Sequence, residues 1–245
     1  MSFGRQYVEL AKLQLRAMRQ EIALIMVIQV ALTGGLVLGF GYIIPDISKV
    51  SATYLVTGTA TQSFVTVGLV MLPQFLAQAR DDGRLEYMLT LPISREAYLL
   101  AQVSVVGLMA LPGVLFALVL GGWHYGLSLN TDPMVVPVVL LAVLSLAGVG
   151  VAMAVLIPHQ QVTNGLAQLI IFYVLFFSPV ILPVEQLPAL LQHTADFMPT
   201  TYTADAVRAS LTDLPGTHLW RSVGIMGGFA VVSLVLSAVS VRRRG

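Results

Sequence analysis

The chain has 245 residues, of which 57% are hydrophobic and only 10% charged, with a mean hydropathy of +0.85 and a formal net charge of +1. Soluble domains carry about 25% charged residues, so this balance excludes an ordinary water-soluble globule and gives no electrostatic case for a nucleic-acid partner. With no cysteine there is no disulfide and no thiolate metal site, and His124, His159, His193 and His218 show no ligand spacing.

In chain order, residues 1–21 come first. On a helical wheel Arg5, Glu9, Lys12, Arg16 and Arg19 fall within about 80°, opposite Phe3, Tyr7, Leu10, Ala17 and Met18. This spacing predicts a basic amphipathic helix lying in the headgroup region. No cleavable signal peptide is expected, because the first apolar run begins only at Ile22 and is longer than a signal core. That run, 22–44, is long enough for a first span at 1.5 Å per residue. A second span is predicted over 54–79. It is the most polar of the set, with Gly58, Gln62, Thr66, Gln74 and Gln78 at multiples of four. Such a stripe is expected to face protein or a water-accessible cavity, since amides in hydrocarbon need partners.

Between Arg80 and Glu96 the sequence carries three basic and four acidic residues. Gly83 ends the preceding helix, Arg84 to Leu91 reads as two turns with Leu85, Met88 and Leu89 on one side, and Pro92 stops it. Ser94 is an N-cap for the next helix, with Glu96 in its first turn. By spacing alone a short docking helix and a solvated loop are equal readings. Further spans follow at 98–120 (with a kink at Pro112), 134–157, 165–182 and 219–241. Trp123 and Tyr125 are interface anchors in a 121–133 loop, and Pro158 to Asn164 is an uncharged turn. The 36 residues from Pro183 to His218 are too mixed to span, and Val184–Phe197 and Thr203–Leu211 read as two short amphipathic helices.

Six spans put both termini on one side. Of the thirteen Lys and Arg residues, ten (Arg5, Lys12, Arg16, Arg19, Arg80, Arg84, Arg95, Arg242, Arg243, Arg244) fall on that side, and Lys49, Arg208 and Arg221 on the other. The positive-inside rule then makes the termini and the Arg80–Arg95 loop cytoplasmic, in a cytoplasmic membrane.

The string Gly83-x-Leu85-Glu86-x-x-Leu89-x-x-Pro92-x-Ser94-Arg95 resembles the first cytoplasmic loop of ABC-2 type transporter permeases. A second string, Pro183-x-x-x-Leu187-Pro188-x-x-Leu191-Gln192…Pro199-x-Thr201-Tyr202-x-x-Asp205-Ala206-x-Arg208, resembles that family's external segment. Two departures are visible: Ser178-Pro179 stands where Ser-Gly is common, and Arg84 replaces a small residue. The resemblance covers essentially the whole chain. It implies a single all-α transmembrane domain over 1–245, with six spans, an N-terminal interfacial helix, a cytoplasmic coupling helix and short external re-entrant helices.

The resemblance further implies an exporter subunit working as a permease dimer, with a second copy or a relative. Separate ATP-binding cassette chains would hold the ATP and magnesium. Arg84, Leu85, Glu86, Met88, Leu89, Pro92 and Arg95 would dock the ATPase, and Gln62, Thr66, Gln168 and Tyr173 would face the substrate pathway, with hydrogen bonding between helices an equal reading of those four. Pro183, Leu187, Pro188, Pro199, Tyr202 and Arg208 would form the external segment. No Gly-x-x-x-x-Gly-Lys-[Ser/Thr] is present, so the chain by itself is not read as an ATPase. Apart from Arg221 in the first turn of the last one, no Asp, Glu, Lys, Arg or His lies inside the predicted spans, which disfavours an ion-coupled secondary transporter and an intramembrane enzyme. A structural scaffold is opposed only by the docking-type loop. An uncharged path suits a hydrophobic drug or lipid, and a lipid-linked polysaccharide is the alternative cargo.

Overall fold

A long uncharged run can hide every backbone N–H and C=O from lipid within one segment only as a helix. In the computed structural model all regular structure among the described residues is helical. Those residues are 2–44, 47–91, 93–129, 133–157, 159–178, 180–181, 188–212, 214 and 216–243, with backbone alone at 86, 89, 177, 190, 234 and 236–243. The helices are α1 (Phe3–Ala17), α2 (Arg19–Ile43), α3 (Lys49–Val65), α4 (Leu72–Asp81), α5 (Arg84–Thr90), α6 (Arg95–Leu108), α7 (Leu111–Tyr125), α8 (Val135–Leu156), α9 (Gln160–Phe177), α10 (Ala189–Ala195), α11 (Pro199–Leu211) and α12 (Leu219–Arg243). Among the described residues, four helical runs are long and apolar enough to cross a membrane: α2, Lys49–Asp81, Arg95–Tyr125 and α8.

Two of those runs are interrupted, each just before a proline. Between α3 and α4 the residues Thr66–Met71 form a π-helical stretch, in which the Leu72 N–H reaches back five residues to Val67 O. Pro73 follows at once. Proline removes a backbone donor and pushes its ring at the carbonyl four residues earlier, and the wider π turn makes room for it. Between α6 and α7 the N–H groups of Met109 and Ala110 bond three residues back, to Val106 O at 3.0 Å and Gly107 O at 3.1 Å. The break lies two to three residues before Pro112, where the proline clashes with the turn preceding it. The helix then continues through Trp123 to Tyr125, past the predicted start of the loop, and stops at Gly126 in the left-handed conformation (φ 60). Tyr125 thus ends a helix, its hydroxyl donating to Val37 O at 2.6 Å.

Polarity is arranged inside out. On α2 the amide of Gln29 and the hydroxyl of Thr33 are buried, while Leu24, Val27 and Leu32 are exposed. The Gln29 side chain donates to Ser63 O on α3 at 3.2 Å. The polar run Lys49–Asp81 is the centre of the bundle, with 89% of its most apolar stretch buried against 22% for α2. It can be both polar and buried because its hydroxyls are satisfied locally. Thr53, Thr57, Thr59, Thr61 and Thr66 each donate to the carbonyl four residues back at 2.7–2.9 Å.

Glycines set how closely the helices meet. A methyl group at Gly150 on α8 would collide with the carbonyl oxygen of Gly68 in the π stretch, and one at Gly148 with the Ser233 hydroxyl on α12. Around these crossings Phe64, Leu72, Met109, Leu146 and Met226 are fully buried and form the core with their neighbours.

Candidate functional site

Three regions answer to the residues singled out by sequence. The first is the short helix α5. It starts after Gly83, whose φ of 72 turns the chain out of α4. Ser94 caps α6 as its sequence position implied, its hydroxyl accepting from Ala97 N at 3.2 Å. Leu85 and Met88 pack inward on a small cluster made by Leu10, Ala97, Tyr98 and Ala101, flanked by Tyr7 and Ile93. The apolar side of α5 is therefore used to hold it against α1 and α6. Leu85 and Met88 are anchors in this arrangement, and the open side is Arg84, Tyr87 (65% exposed) and Leu91. Amphipathic spacing identifies which residues share a side, and burial on the same chain decides which side faces out. Arg84 is paired with Asp82 at 2.7 Å, and Arg95 is the first residue of α6. Of the remaining docking candidates, Pro92 and the side chains of Glu86 and Leu89 lie outside the described residues.

The N-terminal helix belongs to this region. The Tyr7 hydroxyl donates to Ser104 Oγ at 2.9 Å, and Gln6 Oε1 accepts from Ser94 N at 3.1 Å. Leu10 and Gln14 are buried, so the side of α1 opposite its cations is taken up by protein, chiefly α6. Of the residues set opposite the cations on the wheel, Leu10 is buried and Tyr7 and Met18 half-buried, while Phe3 and Ala17 are exposed; the hydrogen bonds made by Gln6 and Tyr7 had no signal in the sequence.

The second region is the proposed pathway. Gln62 and Thr66 sit one turn apart on the buried run, the Thr66 hydroxyl donating to Gln62 O at 2.9 Å. Gln62 Oε1 is buried with no hydrogen-bond partner among the described residues. Gln168 lies elsewhere, on the exposed side of α9, and half-buried Tyr173 shares a 2.6 Å hydrogen bond with Thr194 Oγ1 of α10. The four do not form one cluster. The sequence reading passed over Leu169, Phe172 and Phe176, all more than half exposed on α9, with the two phenyl rings stacked at 5.9 Å. The i, i+4 spacing of the phenylalanines was the available signal.

The third region is the external segment. Pro188 caps α10, Pro199 opens α11 at the first helical position, and Tyr202 donates to Asp196 O at 2.8 Å. Pro183 and Leu187 lie outside the described residues. Arg208 is 3% exposed. Its Nε donates to Thr57 Oγ1 at 3.3 Å and its Nη2 to Val180 O at 3.0 Å, while the guanidinium lies 3.8 Å from the centre of the Tyr54 ring. Burial draws its pKa below the ordinary arginine value, but an arginine remains protonated under these conditions. The charge is held by a carbonyl, a hydroxyl and a π face, a desolvated cation–π contact being worth about 2 kcal/mol. One turn earlier, the Asp205 carboxylate accepts from Ser222 Oγ at 2.9 Å and His218 N at 3.3 Å, at the start of α12. Helix α11 thus ties the N-terminal half of α3 to the start of α12.

Comparison with known proteins agrees with this architecture. Nodulation protein J of Rhizobium meliloti (strain 1021) is 31% identical over 108 residues, 44% of this chain and 41% of the relative. Nodulation protein J of Rhizobium leguminosarum bv. viciae is 29% identical over the same length, 42% of that relative, so the chain spans less than half the length of either. Nodulation protein J of Neorhizobium galegae is 24% identical over 213 residues, 86% of this chain and 81% of the relative. The family described as ABC-2 type transporter matches residues 5–212, from α1 through the end of α11, and the protein belongs to that family.

Proposed function

We propose that the protein is the permease subunit of an ATP-driven exporter, one transmembrane domain over residues 1–245 with six spans. The fifth and sixth are α9 and α12, 18 and 25 residues long. Both termini and α5 lie in the cytoplasm, α1 lies along the headgroups, and α10 and α11 dip into the outer leaflet. Two permeases, copies or relatives, flank the pathway in the cytoplasmic membrane, and separate ATP-binding cassette chains hold the ATP and magnesium.

The observation that carries this reading is the presentation of α5. A seven-residue helix is too short to stand alone in water, yet here it is pinned by Leu85 and Met88 to α1 and α6. Its Arg84, Tyr87 and Leu91 remain open toward a partner. ATP-driven closure of the two cassettes would move this helix and, through it, the bundle. Joint replacement Tyr87→Asp and Leu91→Asp tests the reading. Co-purification of the ATPase chain is expected to be lost while the permease remains folded, and retained association overturns the assignment. Labelling of single cysteines placed at Lys49 and His193 from outside, and at Arg95 from inside, tests the orientation.

The cargo reading is an apolar or amphipathic molecule, a drug or a lipid. It is supported by the aliphatic and aromatic surface of α9 and by the uncharged, buried interior of the α3–α4 run. A lipid-linked polysaccharide is the second reading. The stacked Phe172–Phe176 pair on the open side of α9 favours it, since flat aromatic faces suit sugar rings.

A further inference from the structure

The α4–α5 junction holds a basic residue with a role beyond docking. Arg80 Nη1 donates to two carbonyls at once, Ala154 O at 3.0 Å and Ile157 O at 3.1 Å. Both belong to the C-terminal end of α8, whose last carbonyls have no partner within the helix and carry the negative end of its dipole. Arg80 Nε lies 3.6 Å from Asp81 Oδ1, and Nη2 is buried with no hydrogen-bond partner among the described residues. A guanidinium that forgoes solvent at one nitrogen while another nitrogen bridges two backbone oxygens is fixed in place.

Its position along the chain gives that fixity a use. Gly83, where the chain turns into α5, is three residues after Arg80, and α9 begins at Gln160, three residues after Ile157. We propose that Arg80 is a positioning residue that fastens the α4–α5 junction to the α8–α9 turn. A displacement of α5 then reaches the foot of α9 as the movement of one body. The inference rests on the reading of α5 as the docking helix. It adds a named transmission bond to the packing of α4 against α8 and α9.

The absence of native cysteine makes the test direct. An environment-sensitive fluorophore is placed at Gln161→Cys in the complex with the co-purifying ATPase, and ATP is added. Arg80→Gln is expected to reduce the ATP-dependent signal about fivefold or more, with ATPase association and hydrolysis within about twofold of the parent. Arg80→Lys, which keeps a donor, should restore part of the signal. An undiminished signal in Arg80→Gln overturns the proposal. A parallel measurement needs no ATPase: spin labels at Thr90→Cys and Gln161→Cys in the permease alone. Their distance distribution should broaden in Arg80→Gln, and to a lesser degree in Arg80→Lys should the glutamine variant not fold. Equal widths again overturn the clamp. If no ATPase associates with the parent, the docking reading fails, and the width comparison still decides the clamp.

Discussion

The two ends of the central Lys49–Asp81 run are built differently. At the end that the proposed topology makes the outer one, Arg208 is buried against Tyr54, Thr57 and Val180, and Gly58 lies directly against the Val180 backbone. At the other end the run stops at Asp82 and Gly83, with open space around the glycine, and the short α5 leans on a cluster of four buried residues. One end is bolted by direct backbone contact and a desolvated cation; the other carries α5 on a turn and a few side chains, with the Arg80 bonds to the end of α8 lying just before that turn. Movement is cheapest where contacts are few and backbone is open. On the proposed reading, the moving part is the α5 end and the fixed part the outer end.

The largest expected effect is at the bolt. In Gly58→Ala the new methyl would collide with Val180 O and stand 2.9 Å from Ile181 Cα. Neither neighbour is a side chain that can swing away, so about 3 kcal/mol of stability should be lost in denaturant titration. Arg208→Met should follow at about 2 kcal/mol, as the carbonyl, the hydroxyl and the Tyr54 face lose their cation. Arg208→Lys should recover less than half, because an ammonium lacks the planar fork. If either outer variant were milder than those at the α5 end, the contrast between the ends would be lost.

The sequence disclosed the outer end only in outline. Arg208 is one cation in a mixed segment, and the fact that it meets residues 151 positions away on α3 depends on tertiary folding that spacing does not encode. The central run was more legible. Its glutamines and threonines argued against a lipid-facing position, and the structure buries Gln62 and the threonines, whose hydroxyls bond to their own helix, while Gln74 is half-buried and Gln78 at the α5 end is exposed. Pro73 and Pro112 each announced a disturbance, but whether a proline yields a π turn or a break depends on what packs alongside. For α5 the spacing showed which residues share a side. The contact with α1 decided that Leu85 and Met88 turn inward, and α1 is some 80 residues away in sequence. Arg80 was counted only as a topological charge, since two carbonyl acceptors at a helix end have no residue-type signature.

Gly83→Ala brings the comparison to the inner end. No atom blocks the added methyl, but φ of 72 suits glycine alone among common residues here, so about 1 kcal/mol should be lost. Because the strain falls where the chain turns into α5, ATPase association should weaken more than the stability of the bundle does.

Tyr7→Phe should have the smallest effect. The hydroxyl lost from α1 donates to Ser104 Oγ at 2.9 Å, in a part-buried position. Ser104 lies within α6, so its freed hydroxyl can turn to a carbonyl of its own helix, and the loss should be about 0.5 kcal/mol. Tyr7→Ala also removes a ring packed on the Leu10–Tyr98 cluster, and should cost about 2 kcal/mol by the apolar surface re-exposed. The gap between these variants measures what holds α1 to α6: a wide gap means packing, whereas equal losses would mean a directional bond. A Tyr7→Phe loss larger than that of Gly83→Ala would make the inner end as firmly fastened as the outer, and the contrast between bolt and turn would fail.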